Sequence, residues 1–417
     1  MLSGAARIVR EAVHEVLLHD ERIGTIWGRD DFTKFVFDRD YWDRPGRAVL
    51  GGWFEEHPRR RPHAVNRVPA WFSNLLPEGR LRDLVIEKPG GRTRREIDLL
   101  VWAGRDLPGA VKVVTGGAEA EGRAGGLRAD SRSAGRAVAP GRLGFALAGM
   151  TLKFSMSRRG DRLVVPARGR DGDWILKTPD RSYPDLPANE LAVMRLAGSV
   201  GIEVPEAQLW SRDDIDDLGP GAWTSEETRA YAVRRFDRSP GGRIHIEDFA
   251  QVLGRFGVGE GKYRSNVETV AGLAHRGRDR ASLREAVRRT VFNLLVGNGD
   301  AHLKNWSLIY PDRRRARLSP AYDLVCTAVH LPDPGNPLLG LPFLGATRLA
   351  DVGRGHFARL RDRLGVGDED VLDVVDETCE RFRGLWADGA ADRMPPPVAG
   401  WIGAHLEDTL SRLRSES

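Results

Sequence analysis

The segment GNGDAHLKNWSLIY, residues 297–310, followed by LSPAYDL, residues 318–324, sets Asp300, Asn305 and Asp323 at spacings that phosphoryl transfer uses. In that chemistry one Asp orients the attacking hydroxyl, and an Asn five residues later holds Mg²⁺. A second Asp beyond a hairpin holds the metal that bridges the phosphates. Asp and Asn are also ordinary turn formers, so the GNGDAH run alone is equally well read as a loop after a helix. Its neighbours favour the chemical reading. SLREAVRRTVFNLLVG places Val287, Val291 and either Leu294 or Leu295 on one helical face, which predicts a buried helix ending at Gly297. Beyond Asn305, residues 306–310 and 317–318 bracket the polar run PDRRRA, which predicts a short hairpin returning the chain to Asp323.

Lysine usage gives a second line of argument. Only seven of the 64 basic residues are lysine, and Lys177 and Lys304 fall inside candidate motifs. A chain that fills undemanding cationic positions with arginine marks by lysine the places where a compact ammonium suits better than a planar fork. Lys177 ends the apolar run Trp174-Ile175-Leu176, so its ammonium is expected to project from a strand toward the α- and β-phosphates. Glu190 on the following helix is a candidate ion-pair partner for Lys177, or a first-turn acid favoured by the helix dipole. Ala148, Gly149 and Lys153 are assigned to a preceding turn that covers the phosphates, although one glycine is a poor phosphate cradle. YAVRRFDR would pass between lobes and offer backbone groups around Arg234 and Phe236 to adenine; a plain edge strand is the other reading. His302 and Lys304 complete the catalytic candidates with Asp300: His302 as a structural hydrogen-bonder, Lys304 as a contact to the transferred phosphate. Asp323 has no apolar-core explanation and needs a partner or a metal.

The elements that must position these groups follow from periodicity. VHEVLL, RIGTIW and FTKFVFD, separated by HDE and GRDD, predict a small antiparallel sheet. A helical stretch, PAWFSNLLPEGRLRDLVIE, is interrupted at PEG. Residues 115–142 are Gly-, Ala-, Ser- and Arg-rich with few large apolar side chains, and are expected to be a flexible linker. FALAG, LKFSMS, RLVVPA and DWILKT predict a β-lobe, ANELAVMRLAGSVGIEVP one amphipathic helix, and AQLWS and RAYAVRRFDR two more strands. Beyond Gly241 the periodicity is mainly helical. The expected architecture is α+β: a two-lobed protein-kinase-like fold with a small N-terminal β-rich subdomain and an all-α C-terminal lobe. Its expected boundaries are an N-terminal subdomain at 1–114, the linker at 115–142, a β-rich nucleotide-binding lobe at 143–240 and a helical catalytic lobe at 241–417.

Composition sets limits on function. At 417 residues and 41% hydrophobic content, two or three packed domains are expected. No apolar run approaches the roughly 18 residues of a membrane span and the start has no signal-peptide pattern, so a cytoplasmic protein is expected. Two cysteines, Cys326 and Cys379, are too few for a disulfide framework or zinc knuckle. The net charge of +5 is mild, and the clusters at 59–61 and 313–315 lack interleaved aromatics. Direct nucleic-acid binding is therefore not indicated.

With these residues in place, the chain resembles the HipA-type serine/threonine kinases, the toxins of bacterial type II toxin–antitoxin pairs linked to persistence. The likeness runs through RIGTIW, WFSNLLPEGRLRD, GRDLPGAVKVV, LAGMTLKFS, WILKT, ANE, GIEVP, RRFDR, EDFAQVLG, GNGDAHLKN and LSPAYDL. It implies ATP- and Mg²⁺-dependent phosphorylation of a Ser or Thr in a protein, characteristically an aminoacyl-tRNA synthetase. It also implies restraint by a small helix-turn-helix antitoxin, with DNA reached only through that partner. By motif, Asp300 would be the base, Asn305 and Asp323 the Mg²⁺ ligands and Lys177 the nucleotide lysine. Two positions depart from the pattern: Ala146 stands where some members autophosphorylate a serine, and Thr151 where a Gln is usual. An active protein kinase is the first expectation. A kinase-fold binding module acting as antitoxin partner or co-repressor is the second, and a small-molecule phosphotransferase the third.

The linker expectation is directly testable. Limited proteolysis of the whole chain is expected to cut first within 115–142, because that composition offers too little apolar surface to offset chain ordering. Cleavage elsewhere with this stretch protected would contradict it.

Overall fold

A computed structural model of the chain describes residues 11–76, 95–115, 152–166, 171–219 and 221–415. Its first sheet contains five antiparallel strands in the order β4-β3-β2-β1-β5. These are β1 (Glu11–Leu18), β2 (Glu21–Arg29), β3 (Phe32–Phe37), β4 (His63–Val65) and β5 (Val111–Thr115). The first three are the strands that VHEVLL, RIGTIW and FTKFVFD predict. His19 and Asp20, both with positive φ, make the tight turn between β1 and β2, as two-residue hairpin loops require. The inward face carries Val16, Leu18, Ile23, Ile26 and Phe35. Helices Gly52–Glu56 and Ala70–Ser73 supply Phe54, Trp71 and Phe72 to the same core.

A second sheet, of six strands, has the order β10-β7-β6-β8-β11-β9. Its strands are β6 (Lys153–Arg159), β7 (Arg162–Val164), β8 (Trp174–Lys177), β9 (Ala207–Ser211), β10 (Ile215–Asp216) and β11 (Arg229–Arg234). Apart from the short parallel β10–β7 contact, its pairs are antiparallel. Helix Leu186–Val200 follows β8 and stops at Gly201, whose φ of +100° suits a residue without Cβ. The linker expected at 115–142 lies outside the described residues except for Thr115, which closes β5; so do FALAG, Ala146, Ala148, Gly149 and Thr151.

The C-terminal lobe is built mainly on helices, but it is not all-α as expected. The longest are Arg280–Val296, Leu372–Ala387 and Pro396–Arg414. Helix Arg280–Val296 starts at Asp279, whose side chain accepts from Ser282 N at 3.0 Å, and stops at left-handed Gly297. The lobe also carries short antiparallel strands that the helical periodicity does not announce. One hairpin pairs β12 (Arg238–Ser239) with β13 (Gly242–Arg243). A three-stranded sheet is formed by β14 (His245–Asp248), β15 (Ser307–Tyr310) and β16 (Arg317–Leu318), and a last hairpin by β17 (Leu338–Phe343) and β18 (Ala346–Arg348). The β15–β16 hairpin is the one predicted around PDRRRA.

The N-terminal sheet shares one apolar core with the six-stranded sheet, and polar groups tie it to the C-terminal lobe. Glu247 of β14 is fully buried, and its carboxylate accepts from Gly52 N at 2.8 Å, from Trp71 Nε1 at 3.1 Å and from the Tyr310 hydroxyl. Burial pushes its pKa up to about 7, against the lowering effect of those three donors. The folded state therefore keeps a proton that the unfolded chain releases near pH 4.5. This stability is fully present below that value and is lost as pH rises through about 7. Chemical denaturation at a series of pH values is expected to show it: Glu247→Gln removes on the order of 2–3 kcal/mol of the fall in stability between pH 4.5 and 7.5. Parallel profiles for the two proteins would contradict the assignment.

Candidate active site

Between the six-stranded sheet and the helical lobe lies a cleft of about 110 Å³. Ile175, Val233, Pro205 and Phe236 form its apolar wall, and Lys153, Lys177 and Asp323 line its charged end. The Phe236 ring lies 5.8 Å from that of Tyr322, centroid to centroid.

The charged end is a cluster of four ionisable groups. Lys153 and Lys177 are direct cross-strand partners on β6 and β8, which puts both ammoniums on one face. Lys153 Nζ is 3.0 Å from Asp323 Oδ2. Lys177 Nζ bonds both Asp323 Oδ1 and Glu190 Oε1, the latter from helix Leu186–Val200. Burial alone would raise the Asp323 pKa, but the two lysines hold it well below the ordinary carboxylate range. For Lys177 burial is outweighed by Asp323 and Glu190, and its pKa rises. Lys153 has only Asp323 in direct contact among these acids, and burial together with neighbouring Lys177 lowers its pKa. Burial raises the Glu190 carboxyl in spite of Lys177. Lys177 and Glu190 both shift upward, and the ion pair is the direction that fits their contact. Asp323 itself has a left-handed backbone, φ +56°, a conformation that persists in a non-glycine residue where its surroundings over-determine it.

The strand that leaves the cleft enters a buried ionic lattice. Arg235, whose side chain is 2% exposed, bonds Asp237 through Nε and Nη2 at 2.9 Å and Asp106 through Nη1 at 2.9 Å. Arg238 reaches Asp237 at 2.7 Å and Asp106 at 2.9 Å. Gly109 N donates to Asp237 Oδ2 at 2.8 Å. Gly109 has φ +71°, and a Cβ there would stand 2.8 Å from Ile246 N, so both conformation and space require glycine. The motifs GRDLPGA and RRFDR thus meet in one contact.

On the far side lies the loop after helix Arg280–Val296. Asp300 Oδ1 accepts from the Tyr263 hydroxyl at 2.6 Å. Asn305 Nδ2 donates to the Asp300 carbonyl at 2.8 Å. Burial raises the Asp300 pKa, partly countered by Tyr263 and Lys262. His302 is buried and its pKa is pushed down to about 3, mainly by burial, so the ring is neutral. Lys304 Nζ bonds the Asn74 carbonyl at 2.8 Å and Asp248 at 3.2 Å, linking helix Ala70–Ser73 to the loop.

Lys153, Lys177, Lys304, Phe236, Arg234 and Asp323 therefore share the main cleft. Asn305 meets Asp323 in a smaller adjoining pocket, and Asp300 is held beside it through Asn305. Two placements differ from expectation. Lys153 opens β6 rather than sitting on a turn, because strand pairing sets it opposite Lys177. The Arg234 N–H is already donated to Glu206 O at 2.8 Å, so it is not available to adenine. Ala148 and Gly149 lie outside the described residues. Sequence reasoning did not single out Tyr263, Asn74 or Asp106, whose partners lie 37 to 230 residues away.

Among the described residues no three His, Cys, Asp or Glu side chains gather to hold a metal. Asp323 and Asn305 line one pocket together and form a candidate donor set of one carboxylate and one amide. Hard oxygen donors in that small number fit Mg²⁺, which keeps waters and takes further ligands from substrate phosphates.

Residues 145–386 match the family described as the HipA-like C-terminal domain, and residues 14–114 the HipA N-terminal domain. The Sinorhizobium fredii protein named "Putative kinase Y4dM" is 38% identical over 411 residues, 95% of each chain. The serine/threonine-protein kinase toxin HipA of Shewanella oneidensis is 29% identical over 298 residues, 62% of this chain and 63% of that one. A chain in the solved complex of HipA, HipB and operator DNA from Shewanella oneidensis MR-1 shares the fold, with a TM-score of 0.70 over 96% of both chains at 22% identity.

The charge cluster makes a ranked expectation. Asp323→Asn leaves two buried ammoniums facing Glu190 and should cost about 2–4 kcal/mol, read as a lowered Tm. Lys153→Met should cost less, since Asp323 keeps Lys177. Equal Tm values for Asp323→Asn and the native chain would contradict this account.

Proposed function

The chain belongs to the HipA family and is a serine/threonine-protein kinase, and from that premise we propose how its site works and what it acts on. It transfers the γ-phosphoryl group of ATP, with Mg²⁺, to a Ser or Thr hydroxyl of a protein. The observation that carries this reading is Asp323 held between Lys153 and Lys177 at the charged end of the cleft, one hairpin away from the loop that bears Asp300 and Asn305. Lys153 and Lys177 offer ammoniums to the phosphate oxygens. Asn305 and Asp323 would hold Mg²⁺, which would neutralise charge on the phosphates. The adenine lies against Ile175, Val233 and Phe236. Asp300 orients the acceptor hydroxyl and takes its proton as the oxygen bonds to the γ-phosphorus and ADP departs. In a cleft with little water, fixed charges of this kind act strongly on the charge that develops during transfer.

The wider role follows the family. The chain acts as the toxin of a type II toxin–antitoxin pair in the cytoplasm, with an aminoacyl-tRNA synthetase as the target and a helix-turn-helix antitoxin as the restraining partner. DNA is reached only through that antitoxin. Support comes from the HipA whose fold this chain shares, which was solved with HipB and operator DNA. No helix of the described residues is long and apolar enough to cross a membrane. Ala146 lacks the hydroxyl that a phosphate-loop switch would modify, so restraint rests on the antitoxin. The second reading, a binding module without chemistry, gives no reason for a carboxylate held ionised between two lysines in an open cleft.

Asp300→Asn is the test. The variant is expected to fold with native Tm, bind Mg-ATP with native affinity and lose about 10²–10⁴-fold in turnover. Turnover within a few-fold of native by pure Asp300→Asn protein would remove Asp300 from the mechanism.

A further inference from the structure

Asp300 is held by four hydrogen bonds, one of them from His302 N to its carbonyl at 2.8 Å. Its backbone N donates to Asn298 Oδ1 at 3.1 Å, its carbonyl accepts from Asn305 Nδ2 at 2.8 Å, and its Oδ1 accepts from the Tyr263 hydroxyl at 2.6 Å. The main-chain contacts leave the carboxylate free to rotate about its own bonds, and among the described residues the Tyr263 hydroxyl is the hydrogen-bond donor that restrains that rotation. Oδ2 has His302 Nε2 at 4.0 Å, beyond hydrogen-bond range. Among the described residues, one carboxylate oxygen is thus hydrogen-bonded and the other is not.

Tyr263 is itself held for this contact. It ends the turn Gly259–Tyr263, its ring meets the edge of His302 at 5.3 Å with an interplanar angle of 79°, and Lys262 Nζ lies 5.2 Å from the ring centroid. A buried neutral His302, with no catalytic proton to give, thereby gains a role as the packing support of Tyr263. The other charged groups facing Asp300 are Lys262 from the turn, and Lys153 and Asp323 from across the site. A phenol adds a directional donor without adding charge, so it orients the carboxylate while leaving its negative charge to act on a hydroxyl.

We propose that Tyr263 is a positioning residue for phosphoryl transfer: its hydroxyl clamps Oδ1 of Asp300 so that Oδ2 faces the acceptor hydroxyl. This rests on the assignment of Asp300 as the orienting base. The competing arrangement, in which the phenol occupies the seat of the acceptor hydroxyl and must leave before catalysis, predicts the opposite kinetic effect.

The experiment measures total Mg-ATP consumption by the full chain, with casein as added acceptor and with transfer to the chain itself and to water counted. Tyr263→Phe, Asp300→Asn and the double variant are compared with native protein. Phe keeps the ring on His302, so Tm should not change. Tyr263→Phe is expected to lose roughly tenfold to hundredfold in kcat, the effect of one hydrogen bond to a charged group, with KM for ATP within about twofold of native. Added to Asp300→Asn it should have no further effect, because it acts through Asp300. Tyr263→His, which retains a ring donor, should recover part of kcat. An unchanged or faster kcat, a lower KM for casein, or an additive loss in the double variant would overturn the proposal while leaving Asp300 in place. Full activity of Asp300→Asn, or no ATP consumption by the native chain, would overturn the base assignment and this proposal with it.

Discussion

Two lysines and two carboxylates share a space at the lobe junction from which water is largely removed. None of the four is tolerable there alone, since an unpaired buried charge costs several kcal/mol or neutralises itself. Lys153 and Lys177 come from adjacent strands, Glu190 from the helix that follows, and Asp323 from the far lobe. Their mutual need fixes the strand register, the depth of helix Leu186–Val200 and the approach of the segment after β16. It also leaves Asp323 with one-fifth of its side chain exposed, so the cluster faces the cleft. A device that merely joined lobes would have no reason to remain open on that side.

The N-terminal sheet is coupled to this site through three separate polar contacts. Glu247 takes donors from both sides of the junction, Asp237 receives Gly109 N, and Lys304 of the loop after helix Arg280–Val296 ends on Asn74. Each adds a buried hydrogen bond that spans the junction. Displacing the sheet would strip the loop lysine of its Asn74 contact, so this subdomain is part of the structure that positions the loop.

Much of the site is legible in local sequence, because its spacing is local. Asp300 and Asn305 share one loop, Asp323 follows one hairpin, and Lys177 ends a strand whose apolar run is continuous. Lysine scarcity was informative too: Lys153, Lys177 and Lys304 all line the cleft, and Lys262 acts on Asp300. What was not legible depends on tertiary pairing. Lys153 faces Lys177 only through β6–β8 register, and the link from Asp106 to Arg235 spans 129 residues. Helical periodicity in the last lobe hid β14, β17 and β18 because strands of three to six residues carry little periodic signal.

If the cluster is a receptor for a metal-bound triphosphate, nucleotide binding must depend on the divalent ion, because Asp323 repels bare phosphate and attracts it only through a cation. Calorimetric titration of the native chain with a non-hydrolysable ATP analogue, in Mg²⁺ and then in EDTA, measures this directly. The account predicts saturable one-to-one binding that weakens at least tenfold when Mg²⁺ is removed. Equal affinity under both conditions, or no binding under either, would contradict it.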